Sequence, residues 1–467
     1  MTPKTNPGPH SCDLAIIGAG PAGMAAAATA AQVGLKTVIL DEGDRPGGQI
    51  YRDVEQTTAQ RKQVLGSDYT AGGALAAALR ASDAVYLPRS TVWNISSKRL
   101  IDYSLDGTSF QLQASAIIVA TGAVERPFPI PGWTKPGVTT VGALQILFKS
   151  SGIVEEDAIL AGSGPLLWLV ASQMVAAGSP PVAVVETTPP RRLQAALPHI
   201  LGALRGHHYL RKGLSLIRAV RRAKVPVFKD ATNLEVIGDQ DATGLQFISK
   251  GQRRTVSARH VALHQGVVPN PQITRLLGCD HYWDSKQHCF RPVTSACGLT
   301  SVEHVYVAGD GAGIMGAISA DLQGRLAAQD IATSMGKSPP ERSDRLAAKL
   351  TKDAAIRPFL EALYAPAPDV MSPADAVTVC RCEDITAGAI RDAVDLGAPG
   401  PNQVKSYLRS GMGPCQGRVC GLVVATIIAQ RRSVSMDETG YFRIRPPLKP
   451  LTLQELARFQ PTQELDP

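Results

Sequence analysis

Four cysteines near the end of the chain stand in two close pairs, a pattern typical of a metal site. Cys380 and Cys382 form a C-x-C pair, and Cys415 and Cys420 form a C-x-x-x-x-C pair. Thiolates are soft ligands that select zinc or iron–sulfur clusters. The spacing matches neither a common zinc finger nor a plant-type ferredoxin. The residues alone therefore leave open an iron–sulfur cluster, a structural zinc and free cysteines.

The N-terminal part carries a glycine-rich turn between a short apolar strand and an alanine-rich helix. The strand DLAII (13–17) leads into GAGPAG, and a second strand, KTVIL, ends at two acids. In such a unit the three glycines allow a tight turn, close approach to a pyrophosphate and close helix packing, while the acid binds a ribose. The helix start offers free N–H groups to phosphate. The predicted dinucleotide contacts are Gly18, Gly20, Pro21, Ala22, Gly23, Asp41 and Glu42.

Three further segments extend this site: RPGGQIYR (45–52), AIIVATGA (116–123) and HVYVAGDGAGIMGAISADLQG (304–324). Together they resemble the FAD-binding signatures of flavoprotein reductases with two dinucleotide domains. The resemblance implies that Asp310 holds the ribityl chain and that a helix beginning near Gly316 points its N-terminus at the flavin ring. A simple helix cap is the alternative for Asp310, and the two roles are compatible. The further FAD contacts predicted are Gly48, Gln49, Val92, Thr121, Gly122, Gly309, Asp310, Gly316 and Ala317.

A second strand–turn–helix unit, DAILAGSGPLLWLVASQMVAAG (157–178), lies inside this frame, with Gly162 and Gly164 in its turn and Glu186 at the tip of the following strand. Leu167 replaces the third glycine, and we expect it to push the helix away from the strand and narrow the crevice. Glu186 suits an unphosphorylated ribose, whereas the neighbouring arginines suit a phosphate. NAD(P), another adenine nucleotide and an empty site all remain open.

The cysteine positions exclude a disulfide reductase, which needs a redox pair beside the flavin. The residues IYRD that come directly after GGQ contain no cysteine, and residues 151–278 contain none either. The isolated cysteines are predicted to be small buried hydrophobic residues; they are Cys12, Cys279, Cys289 and Cys297.

No general base, nucleophile or carboxylate clamp stands out, so no catalytic residue is assigned. Tyr51, Arg52 and Arg126 are candidate cleft residues, for which a structural or flavin-contacting role is favoured.

Charge is unevenly distributed along the chain of 467 residues, whose net charge is +8. Residues 191–229 contain ten Lys and Arg and no Asp or Glu. This segment predicts either a solvated helix face or a docking surface for an acidic partner or for nucleotide phosphates. No motif of a nucleic-acid-binding fold accompanies it, so we expect no nucleic-acid partner. No apolar run of ~18 residues predicts a transmembrane helix. We expect a cytoplasmic protein, with peripheral attachment to the inner face of the membrane left open.

The whole chain resembles the large subunit of bacterial opine oxidases and D-hydroxyproline dehydrogenases, a subunit type that also occurs in hydrogen cyanide synthase and, in longer form, in heterotetrameric sarcosine oxidase. The segments that carry this resemblance most specifically are ERPFPIPGW and CRCED…GMGPCQGRVCG. The cysteine segments also resemble the helical 2Fe–2S fold first seen in bacterioferritin-associated ferredoxin.

These resemblances imply FAD and a 2Fe–2S cluster as cofactors and oxidation of a C–N bond of an amine or amino acid. They imply two partners: an electron acceptor, such as a quinone or an electron-transfer protein, and a smaller flavin-containing subunit. The alternatives are a stand-alone NAD(P)H-dependent reductase and a non-catalytic assembly subunit.

The expected fold is α/β: a Rossmann-like flavoprotein of the glutathione and thioredoxin reductase type, with a small helical iron–sulfur domain at the C-terminus. The predicted domains are a disordered leader (1–12), an FAD-binding domain (13–150 and 266–333), a second dinucleotide-binding-like domain (151–265), a helical linker (334–376) and a cluster-binding domain with its tail (377–467).

Overall fold

The structure is a computed structural model that describes residues 8–339 and 341–459. The predicted leader falls mainly on residues 1–7, which lie outside the described residues. The prediction is wrong for Ser11 and Cys12, because both are already in the first strand, paired with Gln113 and Ala114 of a neighbouring strand.

Residues 8–151, the part of this stretch that the structure describes, form eight strands and five helices. The strands are β1 (Ser11–Ile17), β2 (Thr37–Leu40), β3 (Val85–Leu87), β4 (Ser90–Ile95), β5 (Leu100–Leu105), β6 (Thr108–Val119), β7 (Ala123–Glu125) and β8 (Val138–Thr140). The helices are α1 (Pro21–Gln32), α2 (Ala59–Leu65), α3 (Ser67–Thr70), α4 (Gly72–Arg80) and α5 (Val141–Ser151).

The middle of the chain begins with strands that alternate with helices and ends with strand β19 and the long helix α11. The strands are β9 (Ala158–Ser163), β10 (Ala183–Glu186), β11 (Val227–Phe228), β12 (Thr232–Ile237), β13 (Gly244–Ser249), β14 (Gln252–Ser257), β15 (His260–Gln265), β16 (Val267–Pro269), β17 (His281–Asp284), β18 (Cys289–Pro292) and β19 (Val305–Val307). The helices are α6 (Pro165–Ala176), α7 (Arg191–Ala196), α8 (Ile200–Arg205), α9 (His207–Arg222), α10 (Gln272–Leu276) and α11 (Ala317–Ser334).

The last part is mainly helical. Its elements are α12 (Ser343–Ala354), α13 (Arg357–Leu363), α14 (Pro368–Met371), β20 (Thr378–Cys380), β21 (Ile385–Thr386), α15 (Ala387–Asp395), α16 (Pro401–Leu408), α17 (Gly421–Arg432), α18 (Met436–Thr439) and α19 (Leu453–Ala457).

Two sheets built mainly of parallel strands organise the molecule. The first has the order β3-β2-β1-β6-β5-β4, with β19 parallel to β6. The second has the order β11-β10-β9-β15-β8, and all its pairs are parallel. In open sheets of this kind ligands bind at the carboxyl ends of the strands. The alternation of short apolar strands with glycine turns and helices thus produced the predicted α/β fold.

The predicted boundary at residue 150 lies too late in the chain. Strand β8 pairs with Val261–Leu263 of β15, so residues 138–140 already belong to the second sheet. Strand β8 is only three residues long and has a single apolar residue, Val138, which hid it from sequence analysis.

Small residues let the helices over the first sheet approach closely. The alanine-rich α1 packs against α11, where a Cβ on Gly324 would lie 2.1 Å from the carbonyl oxygen of Ala22. This close crossing fixes α1 and α11, whose N-termini both begin at predicted cofactor residues. No helix among the described residues is long and apolar enough to cross a membrane.

Candidate FAD site and cysteine cluster

The first glycine turn has the tight geometry that its sequence predicts. Gly18 has φ +105°, and a Cβ there would lie 2.6 Å from the carbonyl oxygen of Ala120 on the adjacent strand. A Cβ on Gly23 would lie 1.9 Å from the carbonyl oxygen of Gly18. Helix α1 begins at Pro21 after Gly20, and no side chain caps it. The backbone amides at this helix start therefore face a ligand site without competition from a capping side chain.

The GGQ segment closes the side of this turn. Gly47 donates its N–H to the carbonyl oxygen of Ala19 at 2.8 Å. Gly48 has φ +59°, and a Cβ there would lie 2.8 Å from the Cα of Gly20. A Cβ on Gly48 would fill the space between the two segments, and one on Gly47 would lie 2.2 Å from the carbonyl oxygen of Tyr51, so neither position accepts a side chain without a shift of the backbone.

Asp41 follows β2, as predicted, but its carboxylate also holds the turn itself. Its Oδ2 accepts the N–H of Ala19 at 2.6 Å, and its Oδ1 accepts the N–H of Gly43 at 2.7 Å. Burial raises the pKa of Asp41, against the lowering effect of those two backbone hydrogen bonds. Glu42 is turned to an ion pair with Lys449 Nζ at 2.5 Å. Ribose recognition by either acid stays a prediction.

The predicted helix start near Gly316 is confirmed, since α11 begins at Ala317 with Gly316 in the capping position. Asp310 Oδ1 accepts the N–H groups of Met315 and Gly316 at 2.8 and 2.9 Å. Its Oδ2 accepts no hydrogen bond from the residues that the structure describes. Asp310 therefore shapes the approach to the helix, and its contact with the ribityl chain stays a prediction. Gln323 was missed by sequence analysis; its side chain accepts the N–H of Gly309 at 2.8 Å.

Buried polar atoms around the crevice fit a bound nucleotide. Thr121 Oγ1 and Arg52 Nε are both buried without a hydrogen-bond partner among the described residues. Such groups cost free energy unless a partner satisfies them. Val92 is buried in β4 and contributes only apolar contact or backbone to the site. The glycine cradle and these unpaired donors together fit FAD, which Gly20, Gly48, Thr121 and the start of α11 would hold.

Of the candidate cleft residues, Arg126 has a structural role. It is buried and donates to three carbonyl oxygens: Gln265 at 3.1 Å, His288 at 2.8 Å and Gln287 at 2.7 Å. Burial lowers the pKa of Arg126 to about 10, which leaves the guanidinium charged at neutral pH. Tyr51 is also buried, beneath Gly72, whose Cβ position lies 2.2 Å from the tyrosine ring. Neither side chain is free to bind a substrate.

The second glycine turn repeats the backbone plan with different side chains. Gly162 has φ +143°, and a Cβ there would lie 1.7 Å from the carbonyl oxygen of His264. Leu167 is fully buried in the core between α6 and the second sheet. Glu186 lies at the end of β10 opposite Gly162, and burial raises its pKa. The structure thus brings Gly162, Gly164 and Glu186 together, although their binding of a nucleotide stays a prediction.

A buried histidine beside this turn was not foreseen. The His264 ring lies 3.4 Å from the Cβ position of Gly164, and its Nδ1 is 2.5 Å from Glu125 Oε1. Glu125 also accepts the N–H of Gly142 at 3.0 Å. The imidazole lies at the carboxyl end of β15, whereas the equivalent position of the first unit is the small Ala120, directly after β6.

A buried lysine joins the two units and was also missed. Lys149 Nζ donates to the carbonyl oxygen of Gln49 at 3.0 Å and to Gln145 Oε1 at 2.9 Å. Gln145 in turn donates to Gln173 Oε1 on α6 at 2.9 Å. Burial lowers the pKa of Lys149 to about 7, with a smaller contribution in the same direction from the nearby Arg52 charge. The GGQ segment of the first unit is thereby tied to the helix of the second.

The four paired cysteines come together in one group. The Cys420 thiol hydrogen-bonds with those of Cys380 and Cys415, and Cys415 also hydrogen-bonds with Cys382. Contact with Cys420 lowers the pKa of Cys380 to about 6 and that of Cys415 to about 5. No group of three or more His, Cys, Asp or Glu side chains in the described part of the chain is already placed to hold a metal ion. The thiols therefore gather as neighbours, without the final geometry of a metal site.

Backbone amides and glycines surround these thiols. Amide groups of Cys382, Glu383 and Gly411 donate to the Cys380 sulfur. A Cβ on Gly413 would lie 2.2 Å from that of Cys382, so only glycine lets the two loops approach this closely. Amide donors and four soft ligands are the chemistry that a thiolate-bound metal requires.

The cysteine loops are docked on the flavoprotein part at two places. Trp133, in the segment PFPIPGW, donates its indole N–H to the Thr378 carbonyl oxygen at 2.7 Å, and the Arg381 guanidinium lies 5.2 Å from its ring centre. Gln272, at the start of α10, donates to the Gln416 carbonyl oxygen at 3.3 Å. Both contacts involve residues next to, or two residues from, a paired cysteine.

The isolated cysteines match their prediction for the most part. Cys12, Cys279 and Cys289 are buried, whereas Cys297 is only partly buried. Burial raises the pKa of Cys12 and of Cys289 to about 12, which keeps both as unreactive thiols.

Comparison with known proteins places the fold and the family. The family model described as pyridine nucleotide-disulphide oxidoreductase matches residues 12–336, and a model described as sarcosine oxidase A3 domain matches residues 377–458. The chain is 41% identical to an opine oxidase subunit of Rhizobium meliloti, over 95% of this chain and 98% of that protein. It is 31% identical to hydrogen cyanide synthase subunit HcnB of Pseudomonas aeruginosa, over 93% and 96% of the two chains.

A solved structure supports the architecture across the whole chain. The crystal structure of L-proline dehydrogenase from P. horikoshii aligns with a TM-score of 0.71 at 17% identity, covering 96% of this chain and 80% of that one. At this identity the likeness shows the fold alone. From the family model and the sequence relatives, the chain is an FAD-dependent oxidoreductase that belongs to the pyridine nucleotide-disulphide oxidoreductase family, in the branch that contains this opine oxidase subunit.

Proposed function

We propose that this chain is the electron-transferring subunit of a hetero-oligomeric enzyme that oxidises the C–N bond of an opine, a D-amino acid such as D-hydroxyproline, or a related amine. When bound, FAD supplies two-electron chemistry and a 2Fe–2S cluster held by the four paired cysteines supplies one-electron transfer toward an acceptor. A quinone or an electron-transfer protein is the acceptor class that suits this chemistry.

The substrate class rests on the relatives. The names of the similar proteins and domains include opine oxidase and sarcosine oxidase, and both opines and sarcosine are N-substituted amino acids. These relatives are named as subunits, which supports a complex with at least one other chain. Of the three cleft candidates, Arg126 is taken up by hydrogen bonds to three carbonyl oxygens and Tyr51 is buried, which leaves Arg52 alone and no pair of side chains for a substrate clamp. We therefore place the C–H bond-breaking site on a partner subunit.

The observation that carries the proposal is the connection between the predicted flavin loop and the cysteine loop. Gly122 accepts the N–H of Asn270 at 3.1 Å, and Asn270 Oδ1 accepts the N–H of Gln272 at 3.3 Å. Gln272 is buried and reaches Gln416, the residue after Cys415. One short helix start thus touches both sites, which supports electron transfer between them rather than two unrelated binding sites.

The proposal is tested on protein purified without oxygen. We expect one flavin per chain and about two iron atoms with matching acid-labile sulfide. We also expect reduction of an artificial dye when an opine or D-hydroxyproline is added together with the partner subunit. Iron-free protein, or protein holding a single zinc, would overturn the cluster assignment.

A matched pair of variants separates electron transfer from assembly. Cys382→Ser removes one of the four clustered thiols, whereas Cys297→Ser removes an isolated, partly buried one. We expect Cys382→Ser to lose iron and dye reduction while keeping flavin and partner binding. We expect Cys297→Ser to keep iron, dye reduction, flavin and partner binding. Loss of partner binding in Cys382→Ser would instead favour a role in assembly.

A further inference from the structure

The short helices α7 and α8 show an unusual distribution of side-chain sizes. Their inner face carries small residues: Ala196 and Ala203 are fully buried against Ile356 and Phe359. A Cβ on Gly202 would lie 2.4 Å from the carbonyl oxygen of Ala355. A surface helix normally buries its large apolar residues and exposes polar ones. In α7 and α8 the buried side chains are small, so packing against the core does not explain the large apolar residues of the same segment.

Those large residues point outward. Leucine and isoleucine recur at spacings of three and four residues through this segment, with 73% of Leu201 and 56% of Leu204 exposed. Of the seventeen large apolar side chains exposed in the described chain, six lie between residues 193 and 214. They are Leu193, Leu197, Ile200, Leu201, Leu204 and Leu214. Exposed apolar residues gathered in this way mark a protein or membrane interaction surface.

The same segment is strongly basic. Residues 191–229 hold ten Lys and Arg and no acid, whereas the whole chain has a net charge of +8, so the remainder is slightly acidic. On α9 the exposed residues Arg211, Leu214, Arg218 and Arg221 follow one another at spacings of three and four, which places them on one face of the helix. The opposite face of α9 packs Leu216, Ile217 and Val220 on the second sheet's core.

The composition favours a lipid surface over a protein partner. Protein interfaces concentrate aromatic residues and Met at their centres, and Leu is under-represented among their energetic hot spots. The exposed apolar residues of 193–214 are all aliphatic. An interfacial helix of a peripheral protein combines such residues with Lys and Arg, because the bilayer offers an apolar interior beneath an anionic surface.

We propose that α7, α8 and the outer face of α9 form a docking surface for an anionic membrane. The aliphatic side chains enter the boundary of the acyl chains, and the arginines contact the phosphate groups of the lipids. The chain is thereby held at the membrane without a spanning helix. The proposal concerns binding by this chain alone and does not depend on the proposed enzymatic function.

Sedimentation of the full-length chain with vesicles tests this. We expect binding to phosphatidylcholine vesicles containing phosphatidylglycerol, weak binding to phosphatidylcholine alone, and a fall in binding as salt rises. Leu197→Gln/Leu201→Gln should weaken binding by at least about tenfold, because two apolar anchors are lost. Leu396→Gln, which changes a leucine that is 77% exposed in the C-terminal domain, should bind as the unmodified chain does. Unchanged thermal unfolding of each variant confirms that its fold is intact.

Two results would overturn the proposal. One is an unmodified chain that does not sediment with anionic vesicles. The other is binding that Leu197→Gln/Leu201→Gln leaves unchanged. If the chain does not sediment with anionic vesicles but binds the partner subunit through this face, the face is a protein interface and the proposal is wrong.

Discussion

The two strand–turn–helix units of this chain share a backbone but differ in the side chains around the turn. Gly18 and Gly162 both have positive φ, and both lie against a carbonyl group of the neighbouring strand, that of Ala120 in one unit and His264 in the other. The first unit then has Gly23, where a Cβ would be 1.9 Å from a carbonyl oxygen, while the second has the fully buried Leu167.

The comparison shows that the same glycine pattern forms the same turn beside different side chains, so the pattern predicts the turn and the neighbouring side chains bear on the ligand. The first turn is bordered by glycines and by buried donors without partners among the described residues, and a bound cofactor could accept the hydrogen bonds of those donors. The second turn is bordered by a histidine that already has Glu125 as its partner. We infer that the second unit keeps the turn for its role in the fold, and that FAD in the first unit is the cofactor on which activity depends.

Copying the second unit's side chain into the first should have the largest effect. Gly23→Leu would place a side chain within contact distance of Gly18 and separate α1 from β1. We expect loss of bound flavin and destabilisation by about 3 kcal/mol, the upper end of the usual cost of overpacking a tight site. Flavin absorbance per chain and chemical denaturation measure the two effects.

A glycine without close neighbours provides the control. Gly73 in α4 has nothing within 4 Å of its Cβ position, so Gly73→Ala should keep its flavin and gain up to about 1 kcal/mol from helix propensity. Gly23→Leu protein that retains a full complement of flavin would show that the third glycine is not required and would remove the main difference between the units.

Local patterns explain how much of this could be predicted from the sequence. The glycine turns and the start of α11 follow from short segments with strong backbone preferences, and the meeting of the paired cysteines was predicted from the metal-ligand chemistry of two close thiol pairs. The His264–Glu125 pair and the Lys149–Gln49 contact were missed because their members are 139 and 100 residues apart and carry no motif. Only the packing of the two sheets brings them together. The boundary before β8, between the two sheets, was missed for a similar reason: residues 138–140 form a strand only because they pair with β15, which is distant in sequence.

The lysine between the two units should give stability a distinct pH dependence. Below pH 7 Lys149 is protonated in both the folded and the unfolded chain, so its effect is constant. Between its folded pKa of about 7 and the ordinary value near ~10.4 the unfolded chain holds the proton and the folded chain does not. The free energy of unfolding should therefore rise with pH by up to about 1.4 kcal/mol per unit in this window.

The variant Lys149→Met isolates this effect, because it removes the titrating group and keeps a side chain of similar length. Its unfolding free energy should lack the rise above pH 7 that the unmodified chain shows. Lys98→Met, which changes an exposed lysine, should leave the pH profile unaltered. Parallel profiles for the unmodified chain and Lys149→Met would mean that the buried amine stays charged throughout.

Removing the histidine should have a moderate effect confined to the second unit. His264→Ala would remove the imidazole that contacts the Glu125 carboxylate. The carboxylate would keep only the hydrogen bond that it accepts from the N–H of Gly142 at 3.0 Å. We expect destabilisation by about 1–3 kcal/mol, the cost of leaving a buried polar group without its partner. Flavin content should not change, because the first turn is untouched. His208→Ala, at an exposed position on α9, serves as the control and should be neutral. A His264→Ala chain that loses its flavin would show that the two units are coupled more tightly than their separate turns suggest.

The smallest expected effect tests the second unit directly. NADH or NADPH added to the unmodified chain should leave the flavin oxidised, because the His264 ring lies 3.4 Å from the Cβ position of Gly164, beside the turn where a nicotinamide nucleotide would bind. Dithionite should bleach the same flavin fully, which shows that it is competent for reduction. Rapid bleaching by either nucleotide would instead make the second turn a working site and favour a stand-alone reductase. Under that outcome the buried Leu167 would have to be accommodated by a shift of α6, and the difference between the two turns would be one of nucleotide preference.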